Sequence, residues 1–89
     1  MANAKRADLR EQALGDEIMV FDEKADKVHV LNVTSAFLWR CLDETAEPAE
    51  LEARLRARFS PPEATDVRGM VGRALAQFEK LNLLEAKAG

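Results

Sequence analysis

Cysteine and histidine are almost missing from this chain: one of each, Cys41 and His29, in 89 residues. A lone cysteine excludes an intrachain disulfide and fits a reducing cytoplasm. One Cys and one His cannot furnish a structural zinc site, which needs several convergent ligands. Glycine is sparse, with four residues standing singly at 15, 69, 72 and 89, so no glycine-rich loop cradles a phosphate. Apolar runs such as Ile18–Phe21 are far too short to span a bilayer. The start, MANAKRADLR, is basic but has no apolar segment behind it, unlike a signal peptide. Positive charge is not in excess either. Against 13 Lys and Arg stand 16 Asp and Glu, for a net charge of −3. That balance argues against a nucleic-acid partner, because phosphate binding depends on clustered basic residues. The acids are scattered over helix surfaces and turns, and Cys41 reads as a small hydrophobe on a buried helix. The sequence therefore predicts no catalytic residues, no metal, no cofactor and no enzyme activity.

What is present is the composition of one globular domain, 47% hydrophobic and 33% charged. It is organised around Lys27–Leu42, KVHVLNVTSAFLWRCL. Val28 and Val30 alternate with His29, the period of a half-buried strand, which predicts the valines on the inner side and His29 facing away. Asn32 then suits a helix N-cap. After it, Val33, Ala36, Phe37, Trp39, Cys41 and Leu42 follow a helical pattern apolar on nearly every side, as in a helix at the centre of a core. This helix is expected to end near Asp43.

Before that stretch, Glu17–Asp22 reads as a strand, and DEKAD at 22–26 is a connection of hairpin length. Leu9–Leu14 reads as a short first strand despite Glu11 and Gln12, with Gly15-Asp16 as its turn. Strands that all precede the helices predict an α+β domain. After it, Pro48–Phe59 is a helix burying Leu51, Leu55 and Phe59, started by Pro48 with Thr45 or Glu47 as cap. Ser60-Pro61-Pro62 stops it. Glu50–Arg54 and Glu52–Arg56 are favourable pairs on its surface. A third helix from Glu63 or Thr65 to Leu81 has one inward stripe, Val67, Val71, Ala74, Phe78 and Leu81. Asn82 caps it, and Leu83-Leu84 fold back onto the core. Residues 1–8 form a patternless flexible arm, 9–85 the domain, and 86–89 a flexible tail.

Some features exceed the needs of a core. Lys27–Leu31 is the last strand of its sheet and so an edge with free N–H and C=O groups. Gly69 and Gly72 inside the third helix each cost about 1 kcal/mol relative to Ala; they either relieve crowding or leave room for something beside the helix. Met70 and Leu75 widen the inward stripe, as core or as the rim of a groove.

The run VHVLNVTSAFLWRCLD, with Leu31, Asn32, Thr34, Ala36 and Trp39 in an LN-x-T-x-A-x-x-W pattern, resembles the PqqD-like family, as do the Leu51–Leu55–Phe59 helix and the ending Phe78, Leu81, Leu84. Its members are peptide-binding domains called RiPP recognition elements. The resemblance covers residues 9 to 85. It implies a winged helix-turn-helix-like fold of three antiparallel strands followed by three helices. It also implies a peptide chaperone that binds the leader of a ribosomally made precursor peptide and presents it to a maturation enzyme, such as a radical SAM protein or a leader protease. Quinone-pathway members tend to have a Pro-Glu-type segment where this chain has Leu31-Asn32, which points to another peptide pathway.

In that family the leader adds as a strand to the third β-strand and lies against the third helix. Carried to this chain, the resemblance places the leader on Lys27, Val28, His29, Val30 and Leu31 and on Met70, Arg73, Leu75 and Gln77, with His29 peripheral. A winged-helix DNA-binding regulator is the alternative, and a bare interaction or dimerisation domain a third reading. The regulator would need a basic third helix, whereas Arg68, Arg73 and Lys80 are balanced there by Glu63, Asp66 and Glu79.

Overall fold

The computed structural model of the chain describes residues 4–85. Three strands, β1 (Arg10–Leu14), β2 (Glu17–Asp22) and β3 (Lys27–Leu31), form an antiparallel sheet in the order β1-β2-β3. Gly15, at φ +61°, provides the left-handed conformation that the tight β1–β2 turn requires. Three helices follow, α1 (Val33–Cys41), α2 (Pro48–Phe59) and α3 (Val67–Lys80). The expected α+β order, three strands and then three helices, is the one found.

Strand β2 sets the two faces of the sheet. Ile18, Val20 and Asp22 are buried, while Met19 and Phe21 on the opposite face are only partly covered. Helix α1 lies over the buried face and packs on β2, β3, α2 and α3. Asn32 starts it as expected, its side chain accepting from the Ser35 N–H at 2.9 Å. Trp39 on α1 is fully buried and meets Phe78 of α3 edge to face, with ring centroids 5.1 Å apart. Phe37 is partly buried and stacks edge-on against Phe59 of α2 at 5.4 Å. α1 ends at Cys41, and residues 42–44 turn away from it.

One boundary, one ion pair and one facing differ from the sequence reading. α3 starts at Val67, not at Glu63 or Thr65, because Asp66 caps it by accepting from the Gly69 N–H at 2.9 Å. Of the two pairs expected on α2, Glu50–Arg54 forms at 3.1 Å and Arg54 also reaches Glu44 at 2.6 Å. Glu52–Arg56 is not among the ion pairs of the described residues. The facing of β3 is the reverse of the expectation. His29 pairs with the buried Val20, and Leu31 with Ile18, so His29 and Leu31 point inward and Val28 and Val30 point out. The phase of a five-residue strand is set by its most buried member, here Leu31, and the valines lie one residue out of step with it.

The C-terminal end of α3 closes as a Schellman motif. Asn82 takes φ +61°, the Asn82 N–H donates to Glu79 O, and the Leu83 N–H donates to Phe78 O, both at 2.9 Å. The reversal returns Leu83 and Leu84 to the core. There they meet the start of the chain: the Arg6 N–H donates to Leu83 O at 3.1 Å, and the Glu85 N–H donates to Ala4 O at 2.7 Å. Residues 4–6, without pattern in the sequence, thus pair with 83–85. The Arg6 guanidinium joins three segments, bonding Asp22 at 2.8 and 3.2 Å, Asp8 at 2.6 Å and Asn82 O at 2.8 Å. Residues 1–3 and 86–89 lie outside the described residues.

Two expectations follow. Trp39→Ala should cost about 3–5 kcal/mol, through the lost burial and the cavity left against Phe78. A denaturant midpoint close to that of the parent would contradict the central place given to α1. The second concerns acid. The hydrogen bond from Arg6 holds the Asp22 carboxyl below the usual carboxylate range, against the opposing effect of burial. A depressed folded-state value stabilises the fold above the ordinary carboxylate pKa of about 4, and that stability is lost as pH falls through the lowered value. Asp22→Asn should therefore be less stable at neutral pH and lose stability less steeply below about pH 4. Parallel acid limbs for variant and parent would refute the coupling.

Candidate functional site

Helix α1 touches both β3 and α3, but β3 and α3 do not pack on each other. The space left between them is a cleft. At the end nearest α1 it forms a hollow of about 250 Å³ lined by Asn32, Thr34 and Ser35 and by Met70, Arg73, Ala74 and Gln77. The helix residues recur at three and four positions, as one side of an α-helix requires. Met70 is partly buried, Ala74 forms the floor, and Arg73 and Gln77 are exposed. Arg73 makes no ion pair among the described residues.

Asn32 joins this hollow to the end of β3, which is an edge strand of the sheet. The two edges of the sheet are built differently. On the outward face β1 places Arg10 and Gln12 opposite Phe21 and Met19, the kind of charged and polar edge that discourages a further strand. β3 places Val28 and Val30 opposite the same two residues, and these valines are 52% and 58% exposed. Inward, Leu31 is buried, and the Nε2 of His29 is sealed from solvent without a hydrogen-bond partner. Lys27 is exposed at the hairpin end.

The structure therefore divides the residues singled out in the sequence. Lys27, Val28, His29, Val30 and Leu31 form the edge strand, and Met70, Arg73 and Gln77 form the facing flank of α3. Leu75 is not with them. Its position on the helix turns it toward α2, where it lines a separate hollow with Pro48, Glu52, Arg68, Val71 and Gly72. The glycines do not shape the cleft. Gly72 lies on that α2 side and a Cβ there would meet nothing, whereas a Cβ on Gly69 would collide with the Asp66 carboxylate that caps the helix. Gly69 thus serves the helix start. The ring of His29 lies on the inner face of the sheet and not on the outward side expected of it. Thr34 and Ser35, which belong to the first turn of α1, line the cleft without having drawn notice as site residues.

The chemistry of the remaining groups is quiet. No cluster of three or more His, Cys, Asp or Glu residues suited to a metal occurs among the described residues. Cys41 is buried, and burial pushes its thiol up, partly offset by Arg54, so the thiolate needed for nucleophilic attack is disfavoured. In the native protein at pH 8, iodoacetamide should label Cys41 far more slowly than in the unfolded chain. Labelling at the unfolded rate would contradict its burial and leave it available as a nucleophile.

An antiparallel sheet with one unguarded edge, separated by a cleft from the last helix, defines a small winged-helix-like α+β domain. Over residues 17–84 the chain matches the family of coenzyme PQQ synthesis protein D (PqqD), and it belongs to that family. Among solved structures it is similar to TbiB1 in complex with the TbiA(beta) leader peptide, with a TM-score of 0.80 and 20% identity over 97% of this chain and 99% of that one. At that identity the likeness is one of fold. No curated protein matches the chain.

Proposed function

We propose that the chain is a RiPP recognition element: a non-catalytic peptide chaperone that binds the leader of a precursor peptide and presents it to a maturation enzyme, a radical SAM protein or a leader protease. The observation that carries this reading is the unguarded β3 edge facing the open flank of α3. An extended peptide added to β3 gains main-chain hydrogen bonds along the strand, and its inward side chains enter the cleft beside Met70, Arg73 and Gln77. Membership of the PqqD family and the shared fold with a protein solved in complex with a leader peptide support the same reading. The depressed reactivity expected of Cys41 and the absence of a metal-binding cluster among the described residues are compatible with binding alone. A cytoplasmic setting suits the lone thiol. The regulator reading gains nothing from α3, where Arg68 and Arg73 sit on opposite flanks of the helix and cannot track one phosphate backbone together.

The test is an NMR titration with the N-terminal segment of a short precursor peptide encoded beside this chain. The largest amide shifts should fall on residues 27–32 and on Met70, Arg73 and Gln77. Arg73→Ala should weaken binding only about two- to five-fold, because the guanidinium is exposed and screened. Shifts confined to Pro48–Phe59 would show that the binding surface lies elsewhere.

A further inference from the structure

Resting on the strand-addition reading above, we infer that the bound peptide is read on both faces of the sheet, and that its outward side chains are apolar. The inward set enters the cleft. The outward set must lie beside Val28 and Val30, because side chains directly opposite in paired strands share one face and stand about 4.5–5.5 Å apart.

Three observations bear on what the outward set must be. Val28 and Val30 are about half exposed on the outermost strand, while their partners Phe21 and Met19 are partly covered. The apolar surface of the sheet therefore runs out to the β3 edge and stops there uncovered. Second, the β1 edge ends the same surface with Arg10 and Gln12, so the sheet closes itself with polar groups on one side only. Third, a hollow of about 280 Å³ opens beside the β2–β3 turn, where Phe21 and Val28 are its apolar lining among polar and charged residues that include Arg10, Gln12, Glu23 and Asp26. A large apolar side chain opposite Val28, or diagonal to it, would reach that hollow. The ligand class is thus a strand with β-branched or aromatic residues at two outward positions separated by one inward residue. A leader that alternates apolar inward and polar outward residues would leave the valines wet.

The probe is a phage library of random dodecapeptides panned against the protein. Parallel panning uses Val28→Thr/Val30→Thr, Val28→Lys/Val30→Lys and the cleft variant Met70→Ala/Gln77→Ala. The valines are solvent-facing and Thr keeps the strand preference, so melting temperature should stay close to that of the parent for the Thr pair. Peptides selected by the parent should be apolar in both alternating sets. The Thr pair should relax one set alone and weaken parent-selected peptides about five-fold. The Lys pair should turn that same set toward Asp and Glu, and the cleft variant should alter only the other set. Selection on one alternating set, unaffected by either change at 28 and 30, would overturn the inference while leaving strand addition intact. Selected peptides that leave the amides of residues 27–32 unshifted would remove strand addition itself, and this inference with it.

Discussion

The structure depends on the burial of α1. Its Trp39, Leu38 and Ala36 are fully covered, and no other element touches the sheet, α2 and α3 together. A helix in that position does two things. It supplies the core that a small domain needs to be stable without disulfides or metal. It also acts as a spacer: with α1 between them, α3 packs on α2 and α1 and never closes onto β3. The cleft is a consequence of how the core is filled, which is why the first turn of α1 lines it.

A second constraint is the joining of the chain's two described ends. Arg6 ties residues 4–8 to buried Asp22 at the tip of β2 and to the turn after α3. A buried carboxylate is tolerable when a guanidinium bonds both its oxygens, and this one also accepts from the Ala25 N–H in the hairpin turn. The pair fixes the β2–β3 hairpin relative to the end of α3. Those are the two elements whose separation defines the cleft, so its width depends in part on an interaction remote from its opening.

Much of this was legible in the sequence where a period ran long enough. α2 was bounded by Pro48 at one end and Ser60-Pro61-Pro62 at the other, and of the five positions in the stripe of α3, Val67, Val71, Ala74 and Phe78 are buried while Leu81, the C-cap, is partly so. The LN-x-T-x-A-x-x-W pattern pointed to the PqqD family, and the chain belongs to it. The facing of β3 was not legible, because five residues of KVHVL hold two valines in one phase and a histidine and leucine in the other. Hydrophobicity alone favours the valines, whereas pairing with Ile18 and Val20 decides for Leu31 and His29. The glycines misled for a different reason. A helical glycine signals that a Cβ is unwelcome or unnecessary, and only the fold shows that at 69 the cause is the cap of its own helix. Arg6 gave no signal, since a single arginine in an irregular segment looks the same whether it is solvated or bonds three partners.

The misjudged facing is also what gives the edge its character. Had the valines pointed inward, β3 would present His29 to solvent and resemble the guarded β1 edge. Instead the strand offers free main-chain groups with an apolar outer surface beside them, an arrangement that soluble sheets ordinarily avoid. The central claim is that this edge is kept open for a peptide strand. Isotope-filtered NOE spectroscopy on labelled protein, mixed with an unlabelled dodecapeptide selected from the phage library, tests it most directly. The account predicts a ladder of main-chain contacts between that peptide and Lys27–Leu31 at strand-pairing distances. A bound peptide with intermolecular contacts only to helical residues, and none to the β3 main chain, would contradict it.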